Sequence, residues 1–286
     1  MRILLFTIIS LCAFTMDKPA YQLFDSSGEP LTYQALLSKA QKADIVLFGE
    51  LHNNPINHWL QLQLTKDLYK AVGDKLVLGA EMFEADNQTI VDEYLKGHIK
   101  ESNFTKEARV WNNYATDYRP LVEYAKAHQL AFVASNIPRR YASMVANKGF
   151  SSLEALSPTA KHWIVPLPIE VDLALSGYKN MLGMMQHGGS GMKPENFVYA
   201  QAIKDATMAH FILKNWQKGS TFLHFNGAYH SDDFQGIAWY LKQTKPKLRV
   251  LTISSVEQEK VQALQEKFIN KADVIIVTPN DLTKTY

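Results

Sequence analysis

Short apolar runs punctuate the chain at intervals. The clearest are Ile45-Val46-Leu47-Phe48, Leu76-Val77-Leu78-Gly79-Ala80, Leu130-Ala131-Phe132-Val133-Ala134, Thr221-Phe222-Leu223-His224-Phe225, Val250-Leu251-Thr252-Ile253 and Val274-Ile275-Ile276-Val277. Continuous apolar runs of this length, rich in Val and Ile, predict strands buried on both faces. Helical patterns separate them, and strands alternating with helices imply βαβ units. The expected fold is therefore α/β, a mainly parallel central sheet flanked by helices. Ahead of it, Tyr21 to Phe24, the turn Asp25-Ser26-Ser27-Gly28 and Glu29 to Tyr33 predict a small hairpin.

Between about residues 150 and 219 the pattern changes, and no run there reads as a strand. This stretch is expected to form a helical insertion subdomain within a single domain spanning 17–286. Its first long helix carries Leu173, Leu175, Met181, Leu182, Met184 and Met185, and the loop His187-Gly188-Gly189-Ser190-Gly191 follows. Such a helix suits plain core packing, or a methionine-lined flap over a flat apolar ligand.

The first residues form a separate pattern. Met1-Arg2 leads into Ile3 to Phe14, where only Thr7 and Ser10 are not apolar, and Met16-Asp17-Lys18-Pro19 ends the run. One positive charge before a dozen mostly apolar residues predicts a signal segment at 1–16 and export. The run is too short to span a bilayer, which takes about 20 residues. The only cysteine, Cys12, lies inside it. It reads either as a lipid acceptor, giving an outer-membrane-attached protein, or as part of a plain leader to the periplasm. The bulky Leu11 before it fits the first reading poorly.

Composition narrows the function. The 286 residues are 47% hydrophobic and 20% charged, with a net charge of +2. That composition is globular, and the balance gives no footprint for nucleic acid. A single cysteine excludes an internal disulfide, a Cys-cluster metal site and haem attachment through CxxCH.

In open α/β sheets, ligands bind outside the carboxyl ends of the strands. After the first core run comes Gly49-Glu50-Leu51-His52-Asn53-Asn54-Pro55, and after the second Glu81-Met82-Phe83-Glu84. The third delivers Asn136, Pro138, Arg139 and Arg140, and the fourth Asn226-Gly227-Ala228-Tyr229-His230. Carboxylates, imidazoles, an amide and guanidiniums thus converge on one rim. Glu50, His52, Glu81 and His230 make a plausible site for a divalent ion such as zinc, manganese or iron. Without metal they form a general acid–base set. Gly49 and Gly227 would admit close backbone approach. Tyr178, Tyr199 and Tyr229 are candidate phenolate ligands for ferric haem, and His187 is the one further histidine with a suggestive setting. Arg139 or Arg140 would pair with carboxylates.

At this point the ordered motifs resemble a known family. Gly49-Glu50-Leu51-His52-Asn53-Asn54, Gly79-Ala80-Glu81-Met82-Phe83-Glu84 and Gln88 look like the ChaN-type haem-binding lipoproteins. So do Trp111 with Tyr118-Arg119-Pro120-Leu121, Ala134-Ser135-Asn136-Ile137-Pro138, Ala200-Gln201-Ala202 with Asp205-Ala206-Thr207-Met208-Ala209, and Gly227-Ala228-Tyr229-His230. The resemblance runs from about residue 45 to the end. It implies an α/β fold, haem binding, and a role in haem and iron uptake at the bacterial envelope. It further implies a homodimer that completes the pocket on ligand binding, and an outer-membrane haem receptor as a partner. The wider superfamily holds erythromycin-esterase-like hydrolases and Tiki-type metalloproteases. In that light Glu50, His52, Glu81 and His230 would be the site of a metal-dependent hydrolase, the alternative reading. The chain departs from the family pattern at Ala228, where glycine is usual.

Overall fold

The computed structural model describes residues 18–186 and 193–286, with side chains through residue 184 on the first stretch. The expectations for the signal segment, Cys12 and His187 lie outside the described residues, as does the Met185 side chain. The strands are β1 (Gln22–Asp25), β2 (Pro30–Leu31), β3 (Ile45–Glu50), β4 (Leu76–Glu84), β5 (Phe132–Asn136), β6 (Thr221–Gly227), β7 (Val250–Gln258) and β8 (Val274–Pro279). They form one eight-stranded sheet in the order β2-β1-β8-β7-β3-β6-β4-β5. Pairings among β3 to β8 are parallel, and only β1 runs antiparallel to its neighbours β2 and β8. Each apolar run named above falls on a core strand, so the α/β expectation holds.

Every residue of β3 and of β6 is buried. Side chains alternate across a strand, so one strand feeds both faces of the sheet. Val46 and Phe48 join one core with helices α1 (Tyr33–Lys42), α2 (Pro55–Val72), α3 (Gln88–Leu95), α4 (Glu101–Glu107) and α5 (Arg119–Ala127). Ile45 and Leu47 face the opposite layer. Between β5 and β6 lie α6 (Arg139–Lys148), α7 (Pro158–Lys161), α8 (Ser176–Gln186) and the long α9 (Pro194–Asn215), followed after β6 by α10 (Ile237–Thr244). Helices α9 and α10 build the second layer through Ala206, Met208, Ile212 and Ile237. Thus α9 covers the sheet itself, while α8 rests on α9 through Tyr178, Met181, Val198 and Ala202. No described helix is long and apolar enough to cross a membrane.

Two local features aim the rim. Helix α2 starts where Asn54 caps it, its side chain accepting from the Ile56 and Asn57 amides, with Pro55 in the first turn. That start fixes the loop carrying His52. In β4 the register against β5 slips: Ala80 pairs with Ala134 but Glu84 with Asn136, so four steps on one strand match two on the other. A bulge of this kind re-aims side chains, and Glu81 lies within it.

Candidate functional site

Glu50 ends β3 fully buried. Its Oε1 lies 2.8 Å from His52 Nδ1 and accepts the Tyr118 hydroxyl at 2.6 Å. Its Oε2 accepts from the Gln61 amide. The His52 carbonyl in turn accepts from Asn113 and His58, each at 3.0 Å. Both the carboxylate and the backbone of this loop are therefore held in place. The imidazole is about one-third exposed, stands edge-on to Trp111, and keeps Nε2 without a hydrogen-bond partner among the described residues. Burial alone would lower its pKa, but the Glu50 hydrogen bond and the charges of Glu81 and Glu50 outweigh that and raise it.

Across the rim, Glu81 accepts the Gly227 amide at 2.8 Å and lies 3.3 Å from His230 Nε2. His230 Nδ1 is 2.5 Å from Asp205 Oδ1. Asp205 Oδ2 accepts the Tyr178 hydroxyl at 2.7 Å. Burial opposes charge on His230, but Glu81 and Asp205 reverse the balance and raise its pKa to about 10. Burial likewise pushes Glu81 upward, and the His230 imidazolium overrides it and holds the carboxyl well below its usual range. Beneath them His224 is fully buried between Ser135 and Asn226, its pKa pressed down to about 4 by burial, so it is neutral at pH 7.

The backbone approach expected at the glycines is present. A Cβ on Gly227 would lie 2.8 Å from His52 Nε2, and one on Gly49 would lie 2.7 Å from the Ile253 carbonyl. Ala228 is accommodated, with its Cα in that same contact with Gly49.

These groups floor a cleft of about 1000 Å³. Met181, Met184, Phe197 and Ile137 contribute apolar wall, and Arg139 and Lys204 contribute cations. Met184 is 72% exposed and Tyr229 48% exposed, both on this cleft. The Tyr229 hydroxyl donates to the Gly177 carbonyl at 2.8 Å.

The structure brings Glu50, His52, Glu81 and His230 together, with Arg139 and Tyr229 on the same cleft. It does not bring Tyr178 there. That ring is buried between α8 and α9, its hydroxyl is spent on Asp205, and burial together with the Asp205 charge pushes its pKa far up, so it is a hydrogen-bond donor and not a cleft phenolate. Arg140 turns to Asp86 at 2.6 Å, whereas Arg139 has no ion pair among the described residues. Tyr199 packs on Phe150. A metal ion on Glu50, His52, Glu81 and His230 finds no support in the geometry. Among the described residues no group of three or more His, Cys, Asp or Glu side chains is arranged to hold a metal ion. The cause is visible: both His230 nitrogens face carboxylates and His52 Nδ1 faces Glu50, so one imidazole nitrogen is left to the cleft.

Several contributors were not legible as such. Asp205 is the second carboxylate on His230, and its one signal is an acid amid the buried Ala202, Ile203, Ala206 and Met208 of α9. His58, without context in sequence, is buried 3.4 Å from Asp117 and supports the His52 carbonyl.

The fold and site together define an α/β protein whose parallel sheet carries buried Glu–His pairs at its carboxyl rim, under an apolar, cation-edged cleft. The family model for haem-binding uptake proteins of the Tiki superfamily, ChaN, matches residues 36–241, and the chain belongs to that family. Among solved structures, ChaN of Campylobacter jejuni with cofacial haem matches at TM-score 0.67 and 14% identity, covering 91% of this chain and 97% of that one. A succinoglycan biosynthesis protein matches at TM-score 0.52 and 10% identity, covering 89% and 94%. The erythromycin esterase EreC matches at TM-score 0.46 and 11% identity, covering 91% and 83%. At these identities the likeness is one of fold. A search of curated proteins finds no match.

Proposed function

We propose that this chain binds haem in the rim cleft and serves haem and iron uptake. A porphyrin needs apolar walls for its faces, cations for its two propionates and a Lewis base for its iron. The cleft residues fit each need. Met181, Met184, Phe197 and Ile137 supply wall, Arg139 and Lys204 supply cations, and His52 supplies a nitrogen. The observation that carries the reading is His52. Its Nδ1 is fixed on a buried carboxylate, which orients the ring and raises its basicity, while Nε2 faces a cleft edged by exposed Met184 and Tyr229. Haem is the cargo, and the chain's part is to orient, desolvate and hold it. The cleft is open, which suits completion by a second copy on ligand binding, and export to the envelope with delivery to or from an outer-membrane receptor belongs to the same proposal. Haemin titration tests it: a saturable Soret shift at micromolar protein is expected, and an unchanged haemin spectrum contradicts it.

A second reading is favoured by the Glu50–His52 pair, since a carboxylate orienting an imidazole whose other nitrogen is free is a general-base arrangement. Turnover of a panel of activated esters that disappears in His52→Gln supports hydrolysis. No turnover by wild type ends it.

A further inference from the structure

A second cavity, of about 720 Å³, opens beside the cleft. Glu84, Trp111, Arg139 and Tyr286 line both and form the wall between them. Three guanidiniums line this second space, those of Arg109, Arg139 and Arg140, with Asn112 and Ser143 beside them. Its volume is that of a small-molecule site. Neither haem binding nor hydrolysis at His52 uses Arg109, Arg140 or Ser143.

Two of the guanidiniums come from distant parts of the chain and are held rigidly. Arg140, in the first turn of α6, puts Nη1 2.6 Å from Asp86 Oδ2. Its guanidinium also lies 4.4 Å from the ring centre of Tyr141 and 5.6 Å from that of Trp163, which fixes its plane. Arg109 follows α4 at φ 49°, a left-handed seat that glycine more often takes at a helix end. Its Nη2 is 2.5 Å from Asp86 Oδ1 and 2.8 Å from Glu84 Oε2. Arg109 and Arg140 therefore grip the two oxygens of one carboxylate. Asp86 is itself buried and off the cavity wall, so it holds them from behind. Asn87 ties the two turns together, its amide donating to the Ala108 carbonyl at 3.0 Å.

The cavity is under-neutralised. Three arginines meet two carboxylates, Glu84 and Asp86, and Arg139 has no ion pair among the described residues. On Arg109 both acids share Nη2, which leaves Nε and Nη1 without a hydrogen-bond partner among the described residues. A guanidinium edge of this kind matches carboxylate and phosphoryl oxygens in pairs. Like charges gathered at one cavity repel, and an anion seated among them removes that repulsion. Ser143, one turn along α6 from Arg139, adds a hydroxyl on the same face.

We infer that this cavity binds a small polyanion, a compact ligand carrying two or more carboxylate or phosphoryl groups. The site is separate from His52 and does not rest on the haem reading.

The test is calorimetric titration of the full chain, haem-free and in neutral detergent, with citrate and with pyrophosphate at low ionic strength. Expected is saturable one-to-one binding of at least one of them, with the tighter of the two assigning the cavity to polycarboxylate or to phosphoryl ligands. Arg109→Gln should weaken it about tenfold or more. Ser143→Asp keeps every ion pair, adds a negative charge to the wall, and should weaken it comparably with an unchanged melting temperature. Arg249→Gln, which removes an exposed arginine paired with Asp44 elsewhere on the surface, should change nothing. No binding of either anion, binding that ignores Ser143→Asp, or an equal loss in Arg249→Gln overturns the inference. Haemin that displaces the anion one for one gives the cavity to the porphyrin propionates and overturns a separate site. Haemin titration of Ser143→Asp should match wild type. A chain that takes the anion and no haemin fails only the haem reading, and one that takes haemin and no anion fails only this inference.

Discussion

Asp205 and His230 meet at 2.5 Å, although one comes from the middle of a long buried helix and the other from the turn after a strand 25 residues away. The contact locks α9 to the carboxyl rim and makes His230 the positive centre between two carboxylates. Both of its nitrogens are committed to Asp205 and Glu81, so it is a structural cation of the site and not a free ligand.

Asp205→Asn keeps an acceptor for His230 and removes the charge. The loss should be on the order of 2 kcal/mol, below the roughly 3–5 that breaking a buried pair outright costs. Thermal melts at pH 7 should show a decrease of several degrees. An unchanged melt would mean that the ion pair adds nothing.

The same pair sets a pH dependence. The folded-state pKa of His230, about 10, lies above its ordinary 6.5. Its contribution is therefore complete below about pH 6.5 and is lost as pH rises toward 10. Glu81 is shifted the other way, so its contribution is present above its ordinary pKa of 4.5 and is lost as the medium becomes strongly acidic. Denaturant melts from pH 6 to 10 should show falling stability in wild type and a flatter profile in Asp205→Asn.

Gly227→Ala places a methyl 2.8 Å from His52 Nε2. The ring must move from its place on Glu50, at a cost of about 1–3 kcal/mol of overpacking. Haem binding should weaken by at least tenfold while circular dichroism stays native. Full binding would show that His52 does not set the cleft.

Tyr118→Phe deletes one of the hydrogen bonds on buried Glu50. A buried acceptor losing a partner costs about 1–3 kcal/mol. Because Tyr118 is off the cleft surface and acts through Glu50 and His52, the loss should appear in stability first, with the Soret maximum kept.

Much of this arrangement was readable before any coordinates. The six apolar runs become core strands because continuous burial leaves no polar face to hide, and strand ends in a parallel sheet must share a rim. That logic placed Glu50, His52, Glu81 and His230 together. It failed where a side chain's direction depends on packing between distant elements. Tyr178 and Tyr229 look alike as isolated tyrosines, yet α8 lying on α9 turns the first inward to Asp205 and leaves the second exposed on the cleft. In the sequence Asp205 stands out only as part of the α9 motif, since no local spacing reveals that its helix runs under His230. Support for a metal ion is missing for the same reason: the residue types suit an ion, but the His230 nitrogens are turned to carboxylates.

If His52 Nε2 is the iron donor, its proton competes with iron. Its raised pKa means that haem affinity should climb as pH rises through and above the ordinary imidazole range near 6.5. A haemin titration series across that range should show the increase in wild type and lose it in His52→Ala.

The most direct test of the central claim is one haemin titration at neutral pH, followed by absorption, on wild type and His52→Ala. The account predicts saturable binding with a sharp Soret band in wild type, and at least tenfold weaker binding with a shifted band in the variant. Identical binding by the two proteins would remove His52 from the haem site, and no binding by wild type would contradict the claim itself.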